Sequence, residues 1–260
     1  MLIKSNKLKS IFELVLILSL REIKSRYKGS FLGPIWVIAY PLFLTAITTL
    51  VFSLFVKIET DHIPYGLFAL SGIIVWNFFG KAINLGTRSL VSNRDLIVET
   101  AVYAEALPIS YILGQLPDLL INFCLLLLLL LIFHFPLSYL IPFVVLVIVL
   151  LIILILGLTL LLSTLNVVYK DTQNLLEPLL LIWFYLTPVI YPLRIVPENY
   201  QWILKLNPIS YVISMIRDVI FYQKLPNWID LIILCLFSFG IFGVGYFIFR
   251  KNRPAFADII

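Results

Sequence analysis

The stretch from Leu165 to Pro192, LNVVYKDTQNLLEPLLLIWFYLTPVIYP, sets the tightest limit on how this chain folds. A polar turn carrying Lys170 and Asp171 leads into an apolar run from Leu175 to Tyr191, about the roughly 17–25 residues that cross a hydrocarbon core. Thr187-Pro188 and Tyr191-Pro192 then interrupt it. A proline removes an amide donor, and within lipid the freed carbonyl must be satisfied by neighbouring protein or a water-lined cavity. The segment is therefore expected to border a pathway or a helix interface.

The rest of the chain is of the same kind. Of its 260 residues, 62% are hydrophobic and only 13% charged, with a mean hydropathy of +1.06, against about 25% charged in soluble domains. The pattern predicts an all-α polytopic membrane protein with little chain left for a separate soluble domain. Six spans are expected, over Pro34–Val56, Tyr65–Leu85, Ile109–Phe133, Leu137–Leu162, Leu175–Tyr191 and Ile229–Phe249. About thirty residues precede the first long apolar run and no small-residue cleavage site follows it, so no cleaved leader is expected. Cys124 and Cys235 lie inside apolar runs and read as packed thiols.

Residues 10–28 form a different kind of segment. Ile11 to Leu20 is largely apolar, and Arg21, Lys24, Arg26 and Lys28 follow within two helical turns, as expected of a helix lying in the membrane interface beside anionic headgroups. Residues 29–34 then break it; Gly29 and Gly33 have small-xxx-small spacing, but at a break before Pro34 this is a weak dimer signal. The basic residues also set orientation. Seven stand near the N-terminus, three around the second loop (Lys81, Arg88, Arg94), one at Lys170 and three at Arg250, Lys251 and Arg253, so that fourteen of the nineteen fall on one side and place both termini in the cytoplasm. Topology thus accounts for the net charge of +5, and no nucleic-acid partner is expected.

Two loops are longer than connection requires. Residues 86–108 contain helical stretches on either side of Asn93 and Thr100, and the external region 193–227 contains Ile209 to Phe221, an apolar helix too short to cross, started by Asn207-Pro208. Its Arg217 and Asp218 either pair with each other or are solvated, or else form a gate contact.

Candidate chemistry is sparse. Gly80-Lys81 lacks the remainder of a Walker A motif, so no ATP site of that kind is expected. His62 and His134 are isolated, and no metal site is expected. Asp118 and Glu177 lie in or near apolar runs, where an ionisable group faces protein or water by default, or snorkels and pairs near the interface. Trp36, Tyr40 and Phe43, then Trp76 and Phe79, then Trp183, Phe184 and Tyr185 recur along three spans. Such rings either anchor at the interface or line a path and stack on sugar rings.

Taken in order, REIKSRYKGSFLGPIWVIAYPL (Arg21 to Leu42), EALPIS (Glu105 to Ser110), LNVVYKD (Leu165 to Asp171), LTPVIYP (Leu186 to Pro192), LNPIS (Leu206 to Ser210) and FADII (Phe256 to Ile260) give the chain its resemblance. It resembles the transmembrane subunit of ABC-2 type polysaccharide exporters, which include O-antigen, capsule and teichoic acid export permeases, over nearly its full length. The resemblance implies a homodimer in the bacterial cytoplasmic (inner) membrane working with two copies of a separate ATPase, which binds the ATP and Mg, so that this chain needs no cofactor of its own and catalyses nothing. It implies export of a lipid-linked polysaccharide, O-antigen first and capsule or teichoic acid as alternatives, through a channel at the dimer interface.

The resemblance also implies roles. A gate helix maps to Thr87–Leu96, with Arg88, Asn93 and Arg94, and a coupling helix against the ATPase maps to Thr100–Leu107, with Glu99, Thr100, Tyr103, Glu105 and Leu107. Re-entrant helices map to Pro197–Leu206 and Ile209–Phe221, with Asn207, Arg217 and Asp218 as the external gate. The glycan path takes Tyr40, Phe43, Trp76, Phe79, Trp183, Tyr185 and Tyr191. A drug- or lipid-exporting ABC-2 permease is the nearest rival; a gradient-driven transporter requires paired repeats, and an integral membrane transferase requires clustered acids or histidines.

Overall fold

The computed structural model describes residues 2–28, 33–99 and 103–260, which are helical without a strand among them. The order is α1 (Leu2–Tyr27), α2 (Gly33–Thr49) continued by a π-helical turn Leu50–Phe55, α3 (Tyr65–Arg88), α4 (Arg94–Glu99), α5 (Ala106–Leu113), α6 (Leu116–Ile132), α7 (Ile141–Val168), α8 (Thr172–Tyr185), α9 (Gln201–Lys205), α10 (Pro208–Ile220), α11 (Trp228–Asn252) and α12 (Phe256–Ile259).

Among the described residues, five helical stretches are long and apolar enough to cross a membrane: Ile35–Phe55, Tyr65–Arg88, Ala106–Ile132, Ile141–Val168 and Trp228–Ile259. The expected span at 175–191 is not one helix. α8 holds 14 residues, about 21 Å at 1.5 Å per residue against a core of about 30 Å. The chain then leaves helical geometry at Leu186, where Pro188 and Pro192 deny two backbone donors. The third stretch is also divided: Gly114 and Gln115 form a turn between α5 and α6, and Pro117 sits in the first turn of α6, where its missing N–H is harmless.

Burial explains the arrangement. α3 is the central post, with 78% of its most apolar window buried, whereas the corresponding figures are 22% for the first stretch and 17% for the last. α3 packs against α2, α5, α6, α7, α8 and α10. α7 and α11 lie in close contact because both carry glycine where they meet. A Cβ on Gly157 would lie 2.6 Å from the Phe242 Cα, and one on Gly245 would collide with the Gly157 carbonyl.

A second, smaller core forms where α1, the 86–108 loop and the chain end converge: Val15, Leu18, Leu90, Leu107, Phe249 and Phe256 are buried together. The expected coupling helix 100–107 takes a different form. Among its described residues, 103–105 are non-helical and α5 begins at Ala106; Thr100 lies outside the described residues. Leu107 is fully buried in this second core, so it holds the loop rather than presenting a surface to another protein.

Candidate functional site

The proline break after α8 exposes carbonyls in the middle of the fold, and three residues from elsewhere in the chain meet them. Arg217, on α10, donates through Nη1 to the Pro188 carbonyl at 2.7 Å and through Nη2 to those of Val189 at 2.6 Å and Phe68 at 3.1 Å; its Nε reaches Ser71 Oγ at 3.3 Å. The guanidinium lies 3.6 Å from the Phe68 ring centroid and the residue is only 6% exposed. Tyr65 donates its hydroxyl to the Ile190 carbonyl at 2.7 Å. Asn207 receives the Trp183 indole N–H at 3.0 Å and the Ile209 amide at 3.1 Å, capping α10, and gives its own amide to Thr187 Oγ1 at 2.8 Å. The freed backbone is thus satisfied by protein, the first of the two ways open to a proline inside a membrane.

Arg217 and Asp218 do not pair: Arg217 turns inward to carbonyls, and Asp218 lines a cavity of about 190 Å³ with Asp61, Arg194 and Tyr222. There Arg194 pairs with Asp61 and donates to the Glu59 carbonyl at 2.6 Å, and Tyr222 donates its hydroxyl to Asp61 at 2.7 Å. The Tyr222 hydrogen bond and the Arg194 charge hold the Asp61 carboxyl below its ordinary range, while burial and that hydrogen bond push the Tyr222 phenol up to about 12.

A groove of about 890 Å³ opens between α2, α3 and α8. Its apolar wall includes Trp36, Tyr40, Trp76, Phe184 and Tyr185; its polar floor is Arg26, Asn77, Lys81, Asn84, Gln115 and Asp118. Arg26 bonds Asp118 Oδ2 and Gln115 Oε1, each at 2.9 Å, and the carbonyl of Gly114 at the α5–α6 turn. Of the seven aromatics proposed for a glycan path, Tyr40, Trp76 and Tyr185 line this groove. Phe79 does not: it is fully buried, its ring 5.0 Å from that of Trp183, whose N–H is committed to Asn207. Phe43 is exposed outside the groove, and Tyr191 donates to the Tyr185 carbonyl at 3.0 Å.

The proposed gate and coupling residues are held by intramolecular bonds. Arg88 pairs with Glu177 at 3.0 Å, Asn93 is buried and receives Arg21 while donating to Tyr111, and Arg94 donates to the Ile260 carbonyl at 2.9 Å. Glu105 pairs with Arg253 at 2.8 Å, and that guanidinium sits 5.8 Å from the Tyr103 ring centroid. Glu99, at the end of α4, is exposed.

Residues 13–221, most of the chain, match the family model described as ABC-2 type transporter. The chain belongs to the ABC-2 type transporter family. Among relatives of this ABC-2 chain, the O-antigen export system permease protein RfbA of Klebsiella pneumoniae is 27% identical over 254 residues, covering 96% of each protein. The protein of the same name from Myxococcus xanthus is 28% identical over 243 residues, covering 92% of each. The polysialic acid transport protein KpsM of Escherichia coli is 26% identical over 244 residues, covering 92% of this chain and 93% of that one.

Sequence reasoning about this ABC-2 chain missed Lys81, Arg26 and Tyr65 as members of these sites. The first had a signal: Asn77, Lys81, Asn84 and Arg88 recur at i, i+4, i+7 and i+11, a polar stripe on an otherwise buried apolar helix. The other two had none, because Arg26 and Asp118 lie 92 residues apart and Tyr65 and Ile190 lie 125 apart.

Proposed function

We propose that this chain is the channel-forming permease subunit of an ATP-driven exporter that moves lipid-linked polysaccharide across the bacterial cytoplasmic membrane, with O-antigen the first candidate and capsule or teichoic acid the alternatives. The observation that carries the reading is the groove: flat aromatic faces along one wall, hydrogen-bonding and charged groups along its floor, and an open side, a combination suited to a sugar chain. The names of the relatives, O-antigen export permease and polysialic acid transport protein, support the substrate class.

In this reading the chain works as a homodimer with two copies of a partner ATPase, which binds ATP and Mg. Two copies facing each other across α2 and α8 enclose the groove as a channel, and both faces are exposed, with Phe43, Leu179 and Ile182 each more than half accessible. α8 and the break after it make the fifth of six crossings, α9 and α10 are re-entrant from outside, and both termini are cytoplasmic, as the basic residues favour. The core of α1, α4, α5 and α12 then faces the ATPase. ATP-driven closure of the partner shifts it, and differential contact in the two states supplies the coupling.

Deletion of the gene, followed by analysis of surface and intracellular lipid-linked glycan, tests the reading. The expected result is loss of surface polysaccharide with build-up of the lipid-linked form inside. Unchanged surface polysaccharide with no build-up rejects it.

A further inference from the structure

We infer that the Asp61–Arg194–Tyr222 hook is one position of a two-position latch. Asp218, in the same cavity, is the second carboxylate that Arg194 engages, and the exchange transfers the tether of the segment after the proline break from the α2–α3 loop to α10. This goes beyond the export reading and holds whatever is exported.

The segment after the break is a single 3₁₀ turn over Leu193–Ile195, with Pro192 before it and Val196 after it, and both Leu193 and Ile195 are exposed. Its backbone bonds are local: the Ile195 amide donates to the Pro192 carbonyl at 3.2 Å and the Val196 amide to that of Leu193 at 3.1 Å. Arg194 ties it across to the α2–α3 loop, through Asp61 and the Glu59 carbonyl. The partner of Arg194 therefore decides what the segment is fastened to. The present grip is loose, because the Arg194 and Asp61 side chains are 48% and 39% exposed, and an exposed ion pair is weakened by water and salt. An exposed arginine changes rotamer readily.

Asp218 lines the same cavity of about 190 Å³ with Asp61, Arg194 and Tyr222. It is half-buried, and among the described residues its carboxyl has no ion pair and accepts no hydrogen bond. Burial raises the Asp218 carboxyl above its ordinary 3.8; the Lys224 charge opposes this and the Asp230 charge on α11 adds to it. A carboxylate drawn from water without a donor gains more from an arriving guanidinium than an exposed one does. Tyr222 follows Asp218 by four residues and donates to Asp61, yet its phenol also feels the Asp218 charge. Two carboxylates thus share one mobile guanidinium. At Asp61 it gains the Glu59 carbonyl as a second partner; at Asp218 it meets the less hydrated carboxylate and leaves Asp61 to water.

The test is carboxyl-carbon NMR titration of the 260-residue chain in phosphatidylcholine nanodiscs, with the Asp218 signal assigned by its loss in Asp218→Asn. Asp61→Asn weakens the present position, so Arg194 is expected to move to Asp218 and lower its proton affinity at least about tenfold. An unmoved Asp218 titration overturns the latch. Loss of the Asp61 charge alone also favours ionisation of Asp218, and the double variant Asp61→Asn/Arg194→Gln separates the two causes. It is expected to undo most of the fall; a fall of the same size without Arg194 overturns the latch as well. Asp61→Ser, paired with Arg194→Gln in the same way, gives the same reading should Asp61→Asn not fold. The export reading fails separately, by unchanged surface polysaccharide on gene deletion, an outcome that leaves the exchange standing.

Discussion

Arg217 Nη1 donates to the Pro188 carbonyl at 2.7 Å, joining α10 to the proline break that follows α8. The same guanidinium serves Val189 and Phe68, so one side chain holds the break against both α10 and α3.

Arg217→Met is expected to destabilise the protein by about 3 kcal/mol or more, since it strands several buried carbonyls at about 1–3 kcal/mol each. Thermal unfolding in detergent checks this. A variant within about 0.5 kcal/mol of the parent would mean that water already satisfies the break.

Gly72→Ala should reproduce much of that loss. Its new Cβ would overlap the Val189 carbonyl and stand 2.8 Å from Arg217 Nη2, whereas a Cβ on Gly240 meets nothing within 4 Å. Gly240→Ala is accordingly expected to stay within about 0.5 kcal/mol of the parent. Similar melting temperatures for the two variants would contradict the packing at Gly72.

The Arg253–Glu105 pair, 2.8 Å apart, ties the chain end to the 86–108 loop beside Tyr103. If this loop transmits motion from an ATPase, Glu105→Gln, Arg253→Gln and Tyr103→Ala each lower glycan export at least about tenfold, while membrane insertion stays normal. Normal export from all three sinks the assignment of the loop. A double mutant of Glu105 and Arg253 no worse than either single one is the expected sign of a shared contact.

The Asp61–Arg194–Tyr222 hook gives a pH prediction. The Asp61 carboxyl is held below its ordinary 3.8, so the hook's contribution is fully present above that value and is lost as pH falls through the lowered one. At the alkaline end the Tyr222 phenol keeps its proton until about 12. Removing the Tyr222 hydroxyl as Tyr222→Phe raises the Asp61 pKa toward 3.8, readable by carboxyl-carbon NMR titration. An unmoved Asp61 titration would show that the hydrogen bond does not form in solution.

Much of the architecture was legible because it depends on local composition. Five stretches overlap expected spans, the last running ten residues past its expected end, and α10 at Pro208–Ile220 lies almost where Asn207-Pro208 and the following apolar spacing put it. In the groove, Tyr40, Trp76 and Tyr185 were legible as helix-spaced rings, yet Phe79 and Trp183 show the same spacing and point into the core. Periodicity says that a residue shares a face with its neighbours; it does not say whether that face meets a cavity or another helix.

By itself the sequence determined that the chain is helical and membrane-embedded, because long uncharged runs leave the backbone no partner in lipid except itself. It also determined that the Thr187–Pro192 break required hydrogen-bond donors from outside the helix, because proline supplies none. Only the tertiary structure decided who those donors are. Arg217 lies 29 residues from Pro188 and Tyr65 lies 125 from Ile190, and no local pattern links either pair. The same holds for Arg26 and Asp118: 92 residues apart in the chain, they are brought to 2.9 Å by the packing of α1 against α5. Desolvation makes such partners obligatory, and the three-dimensional path of the chain chooses them.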